Sequence, residues 1–157
     1  MSEFETYHPV LGLDPGVRGG VAVLRPDRSI AVVHAFRPDM TEQELFSLVR
    51  SCARLLKQMT GEDAFLEQVG YMKGDGGLGA FTFGKVYGIA KAALWAGEVH
   101  VRDVSPMTWQ AKMGCLSGGN KNVTKEKARA IFPKQKITHA IADALLIARY
   151  GQERLSF

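Results

Sequence analysis

Three acidic residues stand within apolar stretches of the sequence, where an ionised carboxylate is costly to bury. Asp14 ends the segment VLGLD, Glu67 lies in AFLEQV, and Asp143 interrupts AIADALLIA. Each has an ordinary explanation on its own, as a turn cap, a residue on the solvent side of a strand, or the partner of a lysine. Gathered in one cluster, however, carboxylates repel one another unless a divalent cation holds them, and oxygen ligands without thiolates favour Mg²⁺ or Mn²⁺.

Such a cluster has a recognised chemistry, because two divalent ions about 4 Å apart assist displacement at a phosphodiester. His139 lies four residues before Asp143 and therefore on the same face of a helix. A group of cations between residues 112 and 136 would hold a polyanion over the ions. Its members are Lys112, Lys121, Lys125, Lys127, Arg129, Lys134 and Lys136. A solvated helix face is the alternative interpretation of this group.

The hydrophobic patterns and turn signals predict the elements that position these residues. Strands are expected at 9–13, 20–24, 30–36, 64–69 and 98–104. Helices are expected at 42–59, from the glycine-rich loop to about 97, at 106–113, at about 123–132, and at 139–150, closed by Gly151. This order predicts a mixed five-stranded sheet covered by helices, with 1–8 as an N-terminal extension and 152–157 as a tail of one α/β domain. Pairing of the first and fourth strands would bring Asp14 close to Glu67.

The helix that ends near residue 97 carries a small residue at every fourth position. These are Gly84, Gly88, Ala92 and Ala96. The spacing aligns them in one stripe that a neighbouring backbone can approach closely. Packing on the domain's own sheet is the favoured interpretation, and a contact between two subunits is the alternative.

The composition is that of a globular protein and excludes several other classes. The 157 residues carry a formal net charge of +4 and no apolar run of the 18–20 residues that a membrane span needs. The N-terminal residues lack the layout of a secretory signal, and the two cysteines, Cys52 and Cys115, form no metal-binding motif. We therefore expect a cytoplasmic protein with reduced thiols and an anionic partner.

Four segments in this order resemble the RuvC family of Holliday junction resolvases, within the ribonuclease H-like superfamily. They are LGLDPGVRGGVAVL, FLEQVG, VSPMTWQAKMG and HAIADALLIARYG, and the resemblance extends from about residue 10 to 151. The segment GLGAFTFGKVYG and the last helix are most similar to the short resolvases of bacteriophages and organelles. If the chain is phage-encoded, the compartment would be the host cytoplasm.

The resemblance implies a ribonuclease H-like fold and a homodimer that binds four-way junctions, with flaps and forks as further candidate substrates. It also implies paired nicks with Mg²⁺ or Mn²⁺, two ions at each active site, that leave 5′-phosphate and 3′-hydroxyl ends. By position, Asp14, Glu67 and Asp143 match catalytic acids that hold the metals. Family members have a further aspartate at the position of Ala140. We assign the role of that aspartate, as metal ligand or proton-transfer group, to His139, with Thr138 as the alternative.

The resemblance also marks candidates for contact with DNA. Lys121, in the loop before the penultimate helix, matches a basic family position near the scissile phosphate. The loop after Glu67 would insert side chains into the junction. The full set of candidates is Tyr71, Met72, Lys73, Lys85, Lys112, Lys121 and Lys125. Trp109 is interpreted as a core aromatic, with DNA contact as the alternative. The rival functions are a branched-DNA-binding protein with weakened catalysis and a related nuclease that acts on flaps or RNA.

Overall fold

The structure, a computed structural model, describes residues 6–68, 70, 74 and 76–156. The described residues form five strands and five helices. In chain order these are β1 (Val10–Asp14), β2 (Gly20–Leu24), β3 (Ile30–Ala35), α1 (Glu42–Gln58), β4 (Asp63–Glu67), α2 (Gly77–Ala96), β5 (His100–Val104), α3 (Pro106–Lys112), α4 (Lys121–Ile131) and α5 (His139–Leu155).

The strands build one sheet in the order β3-β2-β1-β4-β5. The first three strands form an antiparallel meander, because the turns between them are short. β4 and β5 return through α1 and α2 and therefore pair in parallel, β4 with β1 and β5 with β4. The predicted mixed five-stranded sheet and the pairing of the first and fourth strands are confirmed.

Helices cover both faces of the sheet. On one face α1 and α2 pack on alternate strand residues that include Leu11, Leu13 and Leu66. On the other face α5 packs on the intervening residues, which include Val10 and Phe65, and α3 and α4 pack against α5. A capping box starts α1, since Glu44 N donates to Thr41 Oγ1 at 3.1 Å and Thr41 N donates to Glu44 Oε2 at 2.7 Å.

The two cysteines are buried in different layers of the molecule. Cys52 lies in the core beneath α1, and Cys115 lies in the core beneath α5, on the other face of the sheet. Both are free thiols, as the sequence predicted.

Helix α5 lies unusually close to the sheet. A Cβ placed on Gly12 would lie 2.3 Å from the backbone nitrogen of Ala148, and one on Gly151 would lie 2.5 Å from the Phe65 ring. Gly151 is therefore a packing residue inside the helix, and the prediction that it closes the helix was wrong. The helix continues to Leu155, and the Gln152 amide nitrogen donates to the carbonyl oxygens of His8 and Arg25.

The small-residue stripe of α2 faces solvent rather than the sheet. Its residues Gly84 and Gly88 have open space where a Cβ would stand, and Ala92 and Ala96 are exposed. The favoured interpretation of this stripe was wrong for the isolated chain. Within the described part of the chain, no helix is long and apolar enough to cross a membrane.

Candidate active site

The carboxylates of Asp14 and Glu67 come together because β1 and β4 are parallel neighbours. Leu13 is paired with Leu66, so Asp14 and Glu67 follow at the same edge of the sheet, at the carboxyl ends of their strands. Side chains alternate between the faces of a strand, and Val10 and Phe65 face α5, so the two acids point to the same side. The Asp14 carboxylate also accepts a hydrogen bond from Gly16 N at 3.2 Å, in the turn after β1.

Helices α5 and α4 complete this cluster. Asp143, on the second turn of α5, interacts electrostatically with both Asp14 and Glu67. Lys121 is the cation that acts on all three carboxylates. It is the first residue of α4, whose N-cap Asn120 accepts a hydrogen bond from Asn122 N, so its placement in a flexible loop was wrong. A helix terminus holds Lys121 beside the acids more firmly than a loop would. We call Asp14, Glu67, Asp143 and Lys121 the carboxylate cluster.

The three acids are electrostatically strained. Burial, followed by repulsion from Asp143, raises the pKa of Asp14 to about 6. Burial, followed by repulsion from Asp14, raises the pKa of Glu67 to about 8. The pKa of Asp143 is raised by burial, with Thr124, Lys121 and His139 acting in the opposite direction. The cluster therefore favours added positive charge, either protons or a cation.

Sequence reasoning missed a direct support of this site. The indole of Trp109 is completely buried, and its Nε1 donates to Glu67 Oε2 at 2.7 Å. The interpretation of Trp109 as a core aromatic is confirmed, and the residue additionally orients a carboxylate. Nothing in the spacing joins positions 67 and 109, and only the packing of α3 against the end of β4 reveals the pair.

His139 and Thr138 lie at the start of α5. His139 is exposed and lowers the pKa of Asp143 through its charge, so it lies beside the cluster rather than inside it. Thr138 is the N-cap of α5 but makes no side-chain capping hydrogen bond. Ala140 supplies no ligand atom from its side chain, and its backbone carbonyl packs over Gly20 instead.

The donor chemistry of the cluster fits a hard divalent cation. Asp143 Oδ1 is buried and has no hydrogen-bond partner among the described residues. Carboxylate oxygens without sulfur ligands favour Mg²⁺ or Mn²⁺. Nevertheless, over 6–68, 70, 74 and 76–156, no three histidine, cysteine, aspartate or glutamate side chains are arranged to hold a metal ion. The two-ion arrangement therefore stays a prediction.

The other candidates for DNA contact occupy different parts of the surface. Lys112 is exposed at the end of α3. Lys125, on the second turn of α4, lines a groove with His139. Lys85, on α2, forms an ion pair with Glu42 at 3.0 Å on the other side of the sheet. The predicted loop contacts at 71–73 lie outside the described residues.

The strand order, the helices on both faces and the acids at the ends of β1 and β4 define a ribonuclease H-like α/β fold. Comparison with solved structures gives the particular form of that fold. Thermus thermophilus RuvC in complex with a Holliday junction substrate matches with a TM-score of 0.66 and 19% identity, over 92% of each chain. A second Thermus thermophilus RuvC structure matches with a TM-score of 0.65 and 18% identity, over 90% of this chain and 91% of that one.

The chain thus has the fold of the RuvC resolvases. No family model and no curated protein sequence matches it. The similarity to bacteriophage and organellar members stays a prediction.

Proposed function

We propose that this chain is a metal-dependent endonuclease that resolves four-way DNA junctions by paired nicks, leaving 5′-phosphate and 3′-hydroxyl ends. The observation that carries the proposal is the convergence of Asp14, Glu67 and Asp143, with Lys121 beside them, at one edge of a RuvC-like sheet. The neighbour bound to a Holliday junction supports this substrate class. The formal charge of +4 suits an anionic partner.

Each residue has a distinct part in this proposal. Asp14, Glu67 and Asp143 would hold the divalent cation, with His139 as a further ligand or proton-transfer group. The bound cation would supply activation of water and stabilisation of the leaving 3′-oxygen. Trp109 orients Glu67 through its indole N–H. Lys121 would contact the scissile phosphate, because a cation held against three carboxylates also attracts the phosphate that approaches them.

Paired nicks need two active sites, and α2 offers a surface for a second copy of the chain. Its exposed stripe of small residues is flanked by Phe81, which is 68% exposed, and Trp95, which is 59% exposed. Small residues allow two helices to approach closely, and the aromatic side chains would become buried at both ends of the contact. We include a homodimer through α2 in the proposal.

The proposed activity is tested by cleavage of end-labelled four-way, flap, fork and linear duplex DNA in Mg²⁺, Mn²⁺ or EDTA. Metal-dependent, symmetric nicks confined to the junction support the resolvase. Comparable cutting of flaps supports a general branch nuclease instead. Tight junction binding without cutting in either metal supports a branched-DNA-binding protein. Cleavage of an RNA–DNA hybrid in the same assay would support the remaining alternative, a related nuclease that acts on RNA.

The proposed dimer is tested by sedimentation of Gly88→Gln beside Ser51→Gln, a control on the exposed face of α1. Position 88 has open space in the isolated chain, so the folded monomer accommodates the glutamine. At an α2–α2 contact, however, the longer side chain separates the helices. We expect Gly88→Gln to sediment as a monomer and the control to sediment as a dimer. Equal sedimentation of both variants would contradict this interface.

A further inference from the structure

Another group of like charges lies toward the other end of α5 from the carboxylate cluster. Arg28, in the turn between β2 and β3, and Arg149, on α5, line the same cavity of about 560 Å³. The Nε atoms of both residues are buried and have no hydrogen-bond partner among the described residues. We call this cavity the arginine cavity.

The arginine cavity brings two arginines together with no carboxylate of the described residues hydrogen-bonded to either Nε atom, although Asp27 also lines it. The Arg28 guanidinium stacks on the Tyr7 ring with its central carbon 3.4 Å from the ring centroid. Arg149 Nε lies 3.9 Å from the Glu153 carboxylate, too far for a hydrogen bond. Burial, followed by the charge of Arg28, lowers the pKa of Arg149. Lys134 adds a third cation to the lining. Such an arrangement is costly unless an anion shares the site.

A basic groove connects the arginine cavity to the carboxylate cluster. This groove, of about 570 Å³, is lined by Lys125, Arg129, Lys136 and His139. Pro133 and Gln135 line both the groove and the cavity, so the two are continuous. His139 is close enough to Asp143 to lower its pKa, so the groove begins beside the carboxylate cluster. A continuous row of cations suits a polyanion better than a small ligand.

The length of α4 gives the scale of this path. Lys121, at the start of the helix, interacts with all three carboxylates, and Ile131, at its end, lines the arginine cavity. Ten helical steps along α4 span about 15 Å, and the six steps of α5 from Asp143 to Arg149 span about 9 Å. Phosphates on one strand of a duplex advance about 3.4 Å per nucleotide along its axis. The cavity is therefore about three to five nucleotides from the carboxylate cluster.

We propose that the arginine cavity is a phosphate-binding site that holds the backbone of a nucleic-acid arm, about three to five nucleotides from the phosphate at the carboxylate cluster. The guanidinium groups match phosphate oxygens through paired N–H donors. The arm assignment rests on the proposed function, whereas the affinity of the cavity for phosphate does not.

The first test removes the two charges of the cavity. Arg28→Gln/Arg149→Gln is compared with Arg54→Gln/Arg102→Gln, which removes two exposed charges outside the cavity. We expect the cavity variant to bind a four-way junction about tenfold more weakly than the control at 0.1 M salt. The slope of log affinity against log salt should be about one to two lower in magnitude. Equal affinities and equal salt slopes for the two variants would contradict the proposal that the arginine cavity binds a nucleic-acid arm.

A second test changes the DNA and leaves the protein as it is. Single methylphosphonates, which are uncharged, are placed at successive positions along one arm of the junction. We expect the wild-type chain to lose affinity at one or two positions about three to five nucleotides from the nick. The cavity variant should lose nothing further at those positions. A uniform response along the arm would overturn the proposal even if the arginine variant failed to fold.

The failure of the proposed function has a different signature. If the wild-type chain neither binds nor cuts branched DNA, the proposed function is contradicted. Binding of a nucleic-acid arm in the arginine cavity is then contradicted as well. The phosphate chemistry is then decided by titration with inorganic phosphate, followed through the NMR signals of the arginine Nε–H groups. Saturable shifts of Arg28 and Arg149 would establish a site for free phosphate. Unchanged signals would overturn the site altogether.

Discussion

The two ends of helix α5 present opposite electrostatic problems. Near its start, Asp143 joins Asp14 and Glu67 in a group of half-buried acids. Toward its end, Arg149 joins Arg28 in a cavity where the buried Nε atom of each has no hydrogen-bond partner among the described residues. Both groups place like charges close together, and both favour a ligand of opposite charge.

The difference between the two groups is in how each is held. Asp14 and Glu67 stand at the ends of paired strands and receive hydrogen bonds from Gly16 and Trp109, respectively. Arg28 stands in a turn with a positive φ of 69°, and its partner lines an open cavity. A rigid, half-buried group of carboxylates suits a small cation whose geometry must be fixed. A more open group suits one phosphate of a long polymer, whose position the rest of the polymer also restrains.

The largest expected effect comes from neutralising the carboxylate cluster at Asp14. We expect Asp14→Asn to reduce junction cleavage by about 10³-fold or more, because loss of the metal removes several kcal/mol of transition-state stabilisation. Junction binding in EDTA should be unchanged or tighter, since one repulsive charge is gone. Cleavage and binding are measured on the same labelled junction.

The matched control for this prediction is Asp39→Asn, which removes an exposed carboxylate paired with Arg37. Asp14 also accepts a hydrogen bond from Gly16 N, so a purely structural role in the turn is the competing explanation. Combined loss of cleavage and binding in Asp14→Asn, with normal behaviour of the control, would establish that structural role.

The second prediction concerns the close contact between Gly12 of β1 and helix α5, which carries residues of both the carboxylate cluster and the arginine cavity. Gly12→Ala places a Cβ about 2.3 Å from the backbone of Ala148, so α5 must move away from β1. We expect the free energy of unfolding to fall by about 3 kcal/mol, and cleavage to fall with it as Asp143 shifts. Urea denaturation measures the first effect. Gly79→Ala, at an exposed helical position with open space, should instead be stabilising by up to about 1 kcal/mol.

The acids could be predicted from the sequence because each interrupts an apolar pattern. The order of strands placed Asp14 beside Glu67, and the last helix carried Asp143. The arginine cavity gave no such signal, since Arg28 is one of several charges in a polar turn and Arg149 is an ordinary charge on a helix. They are 121 positions apart, and only the packing of the turn against α5 joins them.

Two other errors have a common physical cause. Gly151 was expected to end α5, because glycine often follows the last turn of a helix. The α2 stripe was expected to pack on the sheet, because small residues allow close approach. In both cases the sequence identified a position where the side chain must be small. It did not identify the neighbouring group that makes a small side chain necessary. That neighbour is the Phe65 ring at Gly151, and at Gly88 the described part of the chain provides none.

The third prediction uses pH to measure the strain in the carboxylate cluster. Glu67 has a pKa of about 8 in the folded chain, above its ordinary value of 4.5. Between these values the folded state binds more protons than the unfolded state, so stability falls as pH rises. We expect the melting temperature of the wild type in EDTA to fall by a few degrees between pH 5 and pH 8.

Glu67→Gln should lose much of this pH dependence and melt above the wild type at pH 8. Its amide oxygen still accepts the Trp109 hydrogen bond, so the packing is preserved. Mg²⁺ should raise the melting temperature of the wild type at pH 8 and leave the variant nearly unchanged. Parallel pH profiles for the two proteins would contradict the strain assigned to Glu67.

The smallest expected effect comes from removing the hydrogen bond that Trp109 donates to Glu67. The Nε atoms in the arginine cavity have no such hydrogen bond within the described part of the chain, so this change tests the contrast between the two groups most directly. Trp109→Phe takes away the donor to Glu67 Oε2, and that hydrogen bond lowers the pKa of the carboxyl group. We expect the pKa of Glu67 to rise by about one unit, measured by carbon-13 NMR titration in EDTA. Trp95→Phe is the control, since Trp95 is 59% exposed and belongs to α2. An unchanged pKa of Glu67 in Trp109→Phe would mean that the indole positions α3 without stabilising the charged carboxylate. The greater rigidity of the carboxylate cluster, compared with the arginine cavity, would then depend on the paired strands alone.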